Sequence, residues 1–340
     1  MPNAVRVIQY GLGPIGSAVA RHVVEREGLE LVGGVDIDPA KAGRDVGQVI
    51  GLGRPLGRTV AATLAQALAQ AGADLALHTT SSYLEQCKPQ IVEILEARLD
   101  VVSTAEELSF PWLAHPQEAA EIDALARKVG RRALATGVNP GFLMDALPLN
   151  LTAICQRVER IDVRRVINAS TRRGPFQLKI GAGMTVEAFQ AKMEAGRMGH
   201  VGLPESIGMV MDTLGKKLVR YESQVEPVVA GRPVQTDYVQ VQPGQVLGLR
   251  QVARAYTKEG EFMALTFLAA LDAEGACPEL AEGEQDTIRI TGQPSLEVTL
   301  KGTNGDLATV AIVANAVHRL RQAPPGLLTM RDLPIVTWWS

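Results

Sequence analysis

The chain has few cysteines and few histidines, and both shortages exclude a class of site. Its three cysteines, Cys87, Cys155 and Cys277, are far apart and odd in number. They predict reduced thiols in the protein interior and no disulfide framework. The five histidines form no H-x-x-x-H pairing, and no C-x-x-C pair occurs, so we expect no bound metal.

Excess charge and long apolar runs are also missing. A net charge of −3 argues against nucleic acid or an anionic membrane as the main partner, since both favour a basic surplus. No apolar run approaches the roughly 20 residues that span a bilayer. The longest candidates, FMALTFLAAL and LATVAIVANAV, are typical of a buried strand or helix. No charged-then-apolar leader precedes the first strand pattern, which predicts a cytoplasmic protein.

From residue 5 to about 140 the chain shows a regular alternation of short apolar strands with helices. Between the first two strands Ile15, Val19 and Val23 recur at helical spacing. This alternation predicts an α/β fold with a Rossmann-type, doubly wound parallel sheet. The predicted strands are VRVIQYG, LELVGGVD, DLALHTT, LDVVSTA and RALATGV.

The middle of the chain shows a different pattern. Strand-like runs predict a hairpin through Glu259-Gly260 and a second antiparallel pair, DTIRITG with SLEVTLKG. The helical stretches TVEAFQAKMEAG and PESIGMVMDTLG interrupt them. We predict a Rossmann domain over 1–145 and, over 146–305, a second α+β domain on a mainly antiparallel mixed sheet, serving substrate binding or dimerisation. Over 306–340 we predict a helix and tail that pack back on the first domain.

The stretch VIQYGLGPIGSAVARHVV contains the spacing G-x-G-x-x-G between a strand and a helix. Gly11 allows the tight turn, Gly13 the close approach of a pyrophosphate, and Gly16 the packing of the helix near the strand. A second strand ends in Asp36, twenty residues after Gly16, which strengthens the prediction of a dinucleotide site. The predicted cofactor-binding residues of this region are Gly11, Gly13, Pro14, Ile15, Gly16 and Asp36.

Asp36 also bears on the choice of cofactor. Its carboxylate can bind the ribose hydroxyls of NAD and would repel the 2′-phosphate of NADP. Lys41 and Arg44 are near enough in sequence to reduce that repulsion, although such residues are more often solvated on a helix. We therefore expect NAD, with NADP tolerated.

The ends of the third and fourth predicted strands carry the next candidates. In HTTSS, Thr79, Thr80 and Ser81 are candidates for cofactor contact, and we expect Ser82 to cap the next helix together with Glu85. The segment STAEELSFP continues this set with two further cofactor candidates, Ser103 and Thr104.

The same segment contains two adjacent carboxylates, Glu106 and Glu107. Thr104 and Glu107 have the spacing of a capping box, but Pro111 leaves little room for a helix, and His115-Pro116 is a more natural helix start. The functional interpretation places one carboxylate beside the nicotinamide, where it holds an amine or ammonia and moves its protons. Since adjacent residues point in different directions, we expect only one of them to face the site.

In TGVNPGF, Asn139 ends the last Rossmann strand. It can bind the nicotinamide or the substrate, or form an Asx turn. Pro140 predicts an extended backbone at Asn139, and Gly141 permits close approach of another group.

Six segments together resemble a known family: VIQYGLGPIG, GVDIDPAKAGRDVGQVIGLG, STAEELSFP, TGVNPGFLMDALPL, GHVGLPESIGMV and APPGLLTMRDLP. The chain is similar to the dihydrodipicolinate-reductase-like group that contains 2,4-diaminopentanoate dehydrogenase and the native amine dehydrogenases. The resemblance implies NAD(P) as cofactor, a homodimer, and oxidative deamination of an amine or reductive amination of a small carbonyl compound with ammonia. The family's catalytic acid corresponds to Glu106 or Glu107, and its asparagine to Asn139. A paired His/Lys motif typical of dihydrodipicolinate reductase itself is missing.

The substrate class stays open at this level. Arg172 and Arg173 can clamp a substrate carboxylate, as a diaminopentanoate dehydrogenase requires, but such a pair is more often a solvated turn. We therefore favour an amine dehydrogenase for small uncharged carbonyl compounds, with Phe142, Asn168 and Phe176 as pocket walls. His200 either reaches the site or caps a helix. A sensor that binds NAD(H) without turnover is the alternative from another class.

Overall fold

The computed structural model describes residues 4–196, 198–272 and 275–339. The chain forms two compact units, one of Met1–Ala146 with Asn304–Ser340 and the other of Leu147–Thr303. Within the described residues, no helix is both long and apolar enough to cross a bilayer.

The first unit is a seven-stranded sheet in which every strand pair is parallel. Its strands, in sheet order, are β15 (Gly326–Leu328), β6 (Arg132–Ala135), β5 (Asp100–Ser103), β4 (Leu75–His78), β1 (Val5–Tyr10), β2 (Leu29–Val35) and β3 (Val60–Ala61). The prediction of a doubly wound parallel sheet is confirmed. The two- and three-residue strands β3 and β15 were missed, because so few residues show no periodicity.

Helices cover both faces of this sheet, which explains why its strands are apolar throughout. The helices of this unit are α1 (Pro14–Glu25), α2 (Val46–Val49), α3 (Leu64–Gln70), α4 (Leu84–Glu96), α5 (Pro116–Val129) and α10 (Gly305–Leu320). The boundary between the units falls within α6 (Ala146–Thr152). On one face Val19 and Val23 of α1 pack with Val313 and Val317 of α10, all fully buried. The other face is covered by α3, α4 and α5.

The second unit is a six-stranded mixed sheet. In sheet order its strands are β14 (Leu296–Lys301), β13 (Gln285–Gln293), β7 (Arg157–Asn168), β12 (Gly260–Ala270), β11 (Val246–Thr257) and β8 (Arg220–Val229). Only the β7–β12 pair is parallel among them. Further elements are α7 (Gly174–Lys179), α8 (Val186–Glu194), α9 (Leu203–Thr213) and the short pair β9 (Val234–Gln235) and β10 (Gln240–Val241). Both predicted hairpins and both predicted helices are confirmed.

The three cysteines are free thiols. Cys87 and Cys277 are buried, as predicted. The prediction is wrong for Cys155, which is only partly buried because it lies in the turn after α6.

Candidate dinucleotide-binding and catalytic site

The glycine loop joins β1 to α1, and its three glycines meet different surroundings. Gly11 has a φ of +90°, and a Cβ there would lie 2.6 Å from the Thr79 carbonyl oxygen. At Gly16 a Cβ would lie 2.0 Å from the Gly11 carbonyl oxygen, whereas at Gly13 it would meet nothing within 4 Å. Gly11 and Gly16 are therefore required by the fold, while Gly13 leaves the backbone open to a phosphate group.

The helix after the loop begins without a side-chain cap. Gly13 is its N-cap residue, Pro14 occupies the first turn, and no acidic residue lies there. Pro14 has no N–H but fixes the helical φ, and the amides from Ile15 onward supply the donors. This N-terminus, with its dipole uncompensated, suits a pyrophosphate.

Beneath the loop lies Gln9, which the sequence analysis missed although it is a polar residue in an apolar strand. Its side chain is fully buried. Nε2 of Gln9 donates to the Gly11 carbonyl at 3.0 Å and to Thr79 Oγ1 at 2.8 Å, and the Thr79 hydroxyl donates to the same carbonyl at 3.0 Å. Thr79, predicted to bind the cofactor, thus holds the glycine turn through its hydroxyl.

Asp36 comes directly after β2, and its carboxylate has three hydrogen-bond donors. Its carboxylate accepts from the backbone N–H of Leu12 at 2.8 Å and of Asp38 at 2.9 Å. Nζ of Lys41 lies 2.9 Å from Asp36 Oδ2. Burial alone would raise the pKa of Asp36, but Lys41 and the two backbone N–H groups together lower that pKa. The carboxylate is thus ionised and fixed in place.

Two expectations about this turn are corrected. Lys41 was expected on a helix, exposed to solvent; it lies in the turn that leads to Gly43, whose φ is +80°, and is paired with Asp36. Arg44 is exposed but also non-helical. Ile37, which the sequence analysis missed, is 83% exposed next to Asp36, an unusual position for a large apolar side chain.

The loop after β4 corrects the prediction for Ser82. Helix α4 begins at Leu84 with Tyr83 as its N-cap residue, and no side chain of this turn caps it. Ser81 accepts from the Tyr83 N–H at 3.3 Å and donates to Gln86 Oε1 at 2.6 Å. Capping rules based on sequence consider only residues next to the helix start. Here the N–H of Leu84, the first helical residue, has a hydrogen-bond partner far away in the sequence.

That partner is Glu107. Its Oε2 accepts from the Leu84 N–H at 2.6 Å and lies 3.4 Å from Nε2 of His115. The alternative of a capping box between Thr104 and Glu107 is not observed, because Glu107 caps α4 and not its own turn. Despite Pro111, residues Glu106–Leu108 form one 3₁₀ turn, whose N-cap is Ala105. The predicted helix start at His115-Pro116 is confirmed.

The two adjacent acids therefore face different surroundings. Successive side chains of a 3₁₀ turn are about 120° apart, so Glu106 does not share the direction of Glu107. Glu106 is partly exposed at the carboxyl edge of the sheet, where ligands of such folds bind. Burial raises the pKa of the Cys87 thiol, both carboxylates lie close enough to raise that pKa further, and Glu107 is the one that caps α4.

Ser103 and Thr104 precede this turn. Thr104 is partly buried, and its N–H donates to the His78 carbonyl at 3.0 Å. Ser103 is fully buried, with its hydroxyl 2.9 Å from Nδ1 of His78. The prediction that Ser103 binds the cofactor is wrong for its side chain, because no part of its surface is exposed.

The loop after β6 carries Asn139, which is 9% exposed. It lies in a turn, and its peptide bond to Pro140 is cis. Asp145, which the sequence analysis missed, is buried and accepts from the Gly141 N–H at 2.8 Å. On the other side Thr309 of α10 accepts from the Val138 N–H at 3.3 Å. The loop that presents Asn139 is therefore held at both ends.

The predicted pocket walls do not belong to one unit. Phe142 is in the first unit and 37% exposed. Asn168 and Phe176 are in the second, where Asn168 Oδ1 accepts from the Ser170 N–H at 2.9 Å in an Asx turn.

The two arginines beside them are also accounted for. Arg172 is 7% exposed, its guanidinium lies 5.3 Å from the centre of the Phe176 ring, and its charge acts on Glu284. Arg173 is the N-cap residue of α7. The expectation of a solvated pair is therefore wrong for Arg172.

His200 does not cap α9, whose N-cap is Gly202. Its ring stacks on Phe267 with centroids 4.5 Å apart, and its backbone N–H donates to Gln251 Oε1 at 2.6 Å. The expectation of a capping histidine is wrong, and the structure gives His200 a stacking partner in the second unit.

A parallel sheet with an open glycine loop, an uncapped helix and a fixed carboxylate at the end of β2 defines an oxidoreductase of the nicotinamide-dinucleotide class. Comparison with known proteins is more specific. Residues 142–339 match the family described as the 2,4-diaminopentanoate dehydrogenase C-terminal domain. The chain is 33% identical over 341 residues to the 2,4-diaminopentanoate dehydrogenase of Acetoanaerobium sticklandii, across 97% of this chain and 94% of that protein.

Two further similarities agree with this. An amine dehydrogenase of Streptomyces virginiae is 22% identical over 356 residues, across 97% of this chain and 96% of that one. The solved amine dehydrogenase of Mycobacterium smegmatis shares the fold, with a TM-score of 0.87, 24% identity and coverage of 99% and 98% of the two chains. The chain belongs to the 2,4-diaminopentanoate dehydrogenase family, and it is an oxidoreductase acting on CH–NH₂ groups. The resemblance identified from the sequence is confirmed.

Proposed function

We propose that this protein is an NAD(P)-dependent amine dehydrogenase that interconverts small uncharged amines and carbonyl compounds, with Glu106 as its acid–base residue. The observation that carries the assignment to Glu106 is the hydrogen bond from the Leu84 N–H to Glu107, which commits Glu107 to α4. Glu106 is then the other carboxylate of the pair, partly exposed at the end of β5.

The chemistry is set by the charge of the intermediate. Reductive amination condenses ammonia with a carbonyl compound, loses water, and gives an iminium cation. A carboxylate close to this cation stabilises its charge and exchanges protons with the nitrogen. The bound cofactor supplies or accepts the hydride. Glu106 performs the acid–base step, and Asn139, on its doubly held turn, is placed to orient the nicotinamide or the substrate.

For the cofactor we propose NAD as the favoured form, with NADP accepted. Asp36 offers the ribose hydroxyls a fixed carboxylate, while Lys41 lies close enough to compensate its charge when a 2′-phosphate binds. The exposed Ile37 next to Asp36 is suited to cover one face of the adenine. We also expect a homodimer, which the family resemblance implies, located in the cytoplasm.

A second candidate activity is oxidation of a carboxylate-bearing diamine such as 2,4-diaminopentanoate, and the 33% identical relative favours it. This activity requires a positively charged side chain that binds the substrate carboxylate. The burial of Arg172, beside Phe176 and within the field of Glu284, argues against its use as a clamp, which leaves Arg173. Activity on 2,4-diaminopentanoate that Arg173→Ala abolishes would favour this second candidate over the first.

The main proposal is tested by following NADH or NADPH oxidation with ammonium and a panel of small ketones and aldehydes. We expect ammonium-dependent turnover in the wild type and a loss of about 100-fold or more in Glu106→Gln. NADH affinity, measured by fluorescence titration, should change less than about threefold, because the substitution leaves the glycine loop and the Asp36 turn unchanged.

Glu107→Gln is the matched control, because the same chemical change one residue along weakens the cap of α4 and the contact with His115. It should cost about 1 kcal/mol of unfolding free energy while turnover persists. Full activity in Glu106→Gln would refute the assigned role. NADH binding without any ammonium-dependent turnover would instead favour the sensor.

A further inference from the structure

A buried histidine lies beneath the turn of Glu106, and no step of the proposed reaction uses it. His78 is the last residue of β4 and is fully buried, with its ring centroid 5.6 Å from that of Tyr10. Burial lowers the pKa of His78 to about 4, and the hydrogen bond to Gln90 opposes this only in part. The ring is therefore neutral at physiological pH and has one N–H to donate.

The partners of the ring determine which nitrogen carries the proton. The Ala105 N–H donates to Ser103 Oγ at 3.0 Å, and the same Oγ lies 2.9 Å from Nδ1 of His78. Nε2 lies 2.7 Å from Gln90 Oε1, which only accepts, and 2.9 Å from Thr80 Oγ1, whose proton goes to the same Gln90 oxygen. These partners fit a ring that donates from Nε2 and accepts the Ser103 hydroxyl proton at Nδ1. The chain of donors thus runs from the Ala105 amide through Ser103 and His78 to Gln90.

This chain joins three segments of the first unit. Gln90 lies in the middle of α4, His78 ends β4, and Ala105 is the residue directly before Glu106. Thr80 adds a second link, since its hydroxyl donates to Gln90 Oε1 at 2.6 Å. The backbone that carries Glu106 is therefore tied to a helix by side-chain hydrogen bonds with fixed donor directions.

We infer that His78 is a positioning residue for Glu106, acting through Ser103 and the Ala105 amide. This inference rests on the proposed function of Glu106. A buried, uncharged imidazole suits the task because it accepts on one side and donates on the other along a rigid plane. An aliphatic side chain of similar volume would pack there without fixing the direction of the turn.

The test compares His78→Gln and Ser103→Ala with Tyr10→Phe. The first two variants each break a different hydrogen bond of the series from Ala105 to Gln90. If one of them does not fold, the other still tests the inference. Tyr10→Phe is the matched control, because it removes a hydrogen bond to Glu93 on the same helix, 3.1 Å long, but outside the chain. We expect kcat to fall at least about tenfold in His78→Gln and in Ser103→Ala. In Tyr10→Phe kcat should stay within about twofold of wild type. KM and NADH affinity should change less than about threefold in all three variants.

A double variant distinguishes positioning from a general loss of structure. If His78 acts through Glu106, His78→Gln should not lower kcat further in the Glu106→Gln background. The inference would be overturned if His78→Gln lowered kcat by the same factor in the wild-type and Glu106→Gln backgrounds. Wild-type kcat in folded His78→Gln and folded Ser103→Ala would also overturn it. Wild-type kcat in Glu106→Gln alone would instead overturn the proposed function, so the two failures are distinguishable.

Discussion

At the scale of single residues, the ion pair of Asp36 with Lys41 bears most directly on the choice of cofactor. The Asp36 side chain is 10% exposed, and the Lys41 ammonium lies 2.9 Å away. A 2′-phosphate next to Asp36 would be repelled by the negative charge of the carboxylate. The Lys41 ammonium, 2.9 Å from Asp36 Oδ2, reduces this repulsion. An NAD ribose places no charge there and depends on Lys41 much less.

Lys41→Ala should therefore weaken NADPH binding about tenfold, which corresponds to about 1.4 kcal/mol. NADH binding should change less than about threefold, and both are measured by fluorescence titration. Arg44→Ala is the control, since Arg44 is a cation of the same turn whose guanidinium bonds the Ala40 carbonyl at 3.4 Å. Equal losses for NADH and NADPH in Lys41→Ala would contradict this account.

At the scale of elements, the proposed site consists of the loops at the carboxyl ends of β1, β2, β4, β5 and β6. The sequence predicted these loops well, because apolar strands that alternate with helices must end at one edge of a parallel sheet. It predicted the helix starts less well. The cap of α4 comes from Glu107, 23 residues beyond Leu84, and such a partner cannot be read from local spacing.

The glycine loop offers a matched pair of substitutions within one element. Gly16→Ala should destabilise the fold by about 1–3 kcal/mol, because its methyl group would lie 2.0 Å from the Gly11 carbonyl oxygen. Gly13→Ala meets no atom within 4 Å, and its φ of −69° suits alanine. Its stability should stay within about 0.5 kcal/mol, while NADH affinity falls at least about tenfold, since the methyl group occupies the space for the pyrophosphate. Urea unfolding and NADH titration measure both effects, and unchanged NADH affinity in Gly13→Ala would remove the loop from the site.

At the scale of the whole molecule, the proposed dinucleotide-binding residues all belong to the first unit. The glycine loop, the Asp36 turn and the loops after β4, β5 and β6 all belong to Met1–Ala146. The C-terminal segment contributes α10, whose Thr309 holds the Asn139 turn, and β15, which pairs with β6. Residues from both ends of the chain thus stabilise the loop after β6.

Saturating NADH should therefore slow backbone hydrogen exchange most at residues 11–17 and 36–41. The β13–β14 hairpin of the second unit, which forms one edge of its sheet, should exchange at its unliganded rate. Mass spectrometry of peptic fragments measures this, and Gly13→Ala at the same NADH concentration is the control. Protection centred on the hairpin would show that the cofactor binds elsewhere.

The sequence by itself determined the strand and helix pattern, the glycine loop, the carboxylate after β2 and the family. These depend on periodicity and on residues close together in the chain, which local physical rules describe. Only the tertiary structure decided which of Glu106 and Glu107 caps a helix, that Lys41 pairs with Asp36, and that His78, Gln9 and Asp145 support the loops. Each of these depends on hydrogen bonds or ion pairs made once the chain has folded, and side-chain directions in turns are set by those contacts and not by sequence spacing.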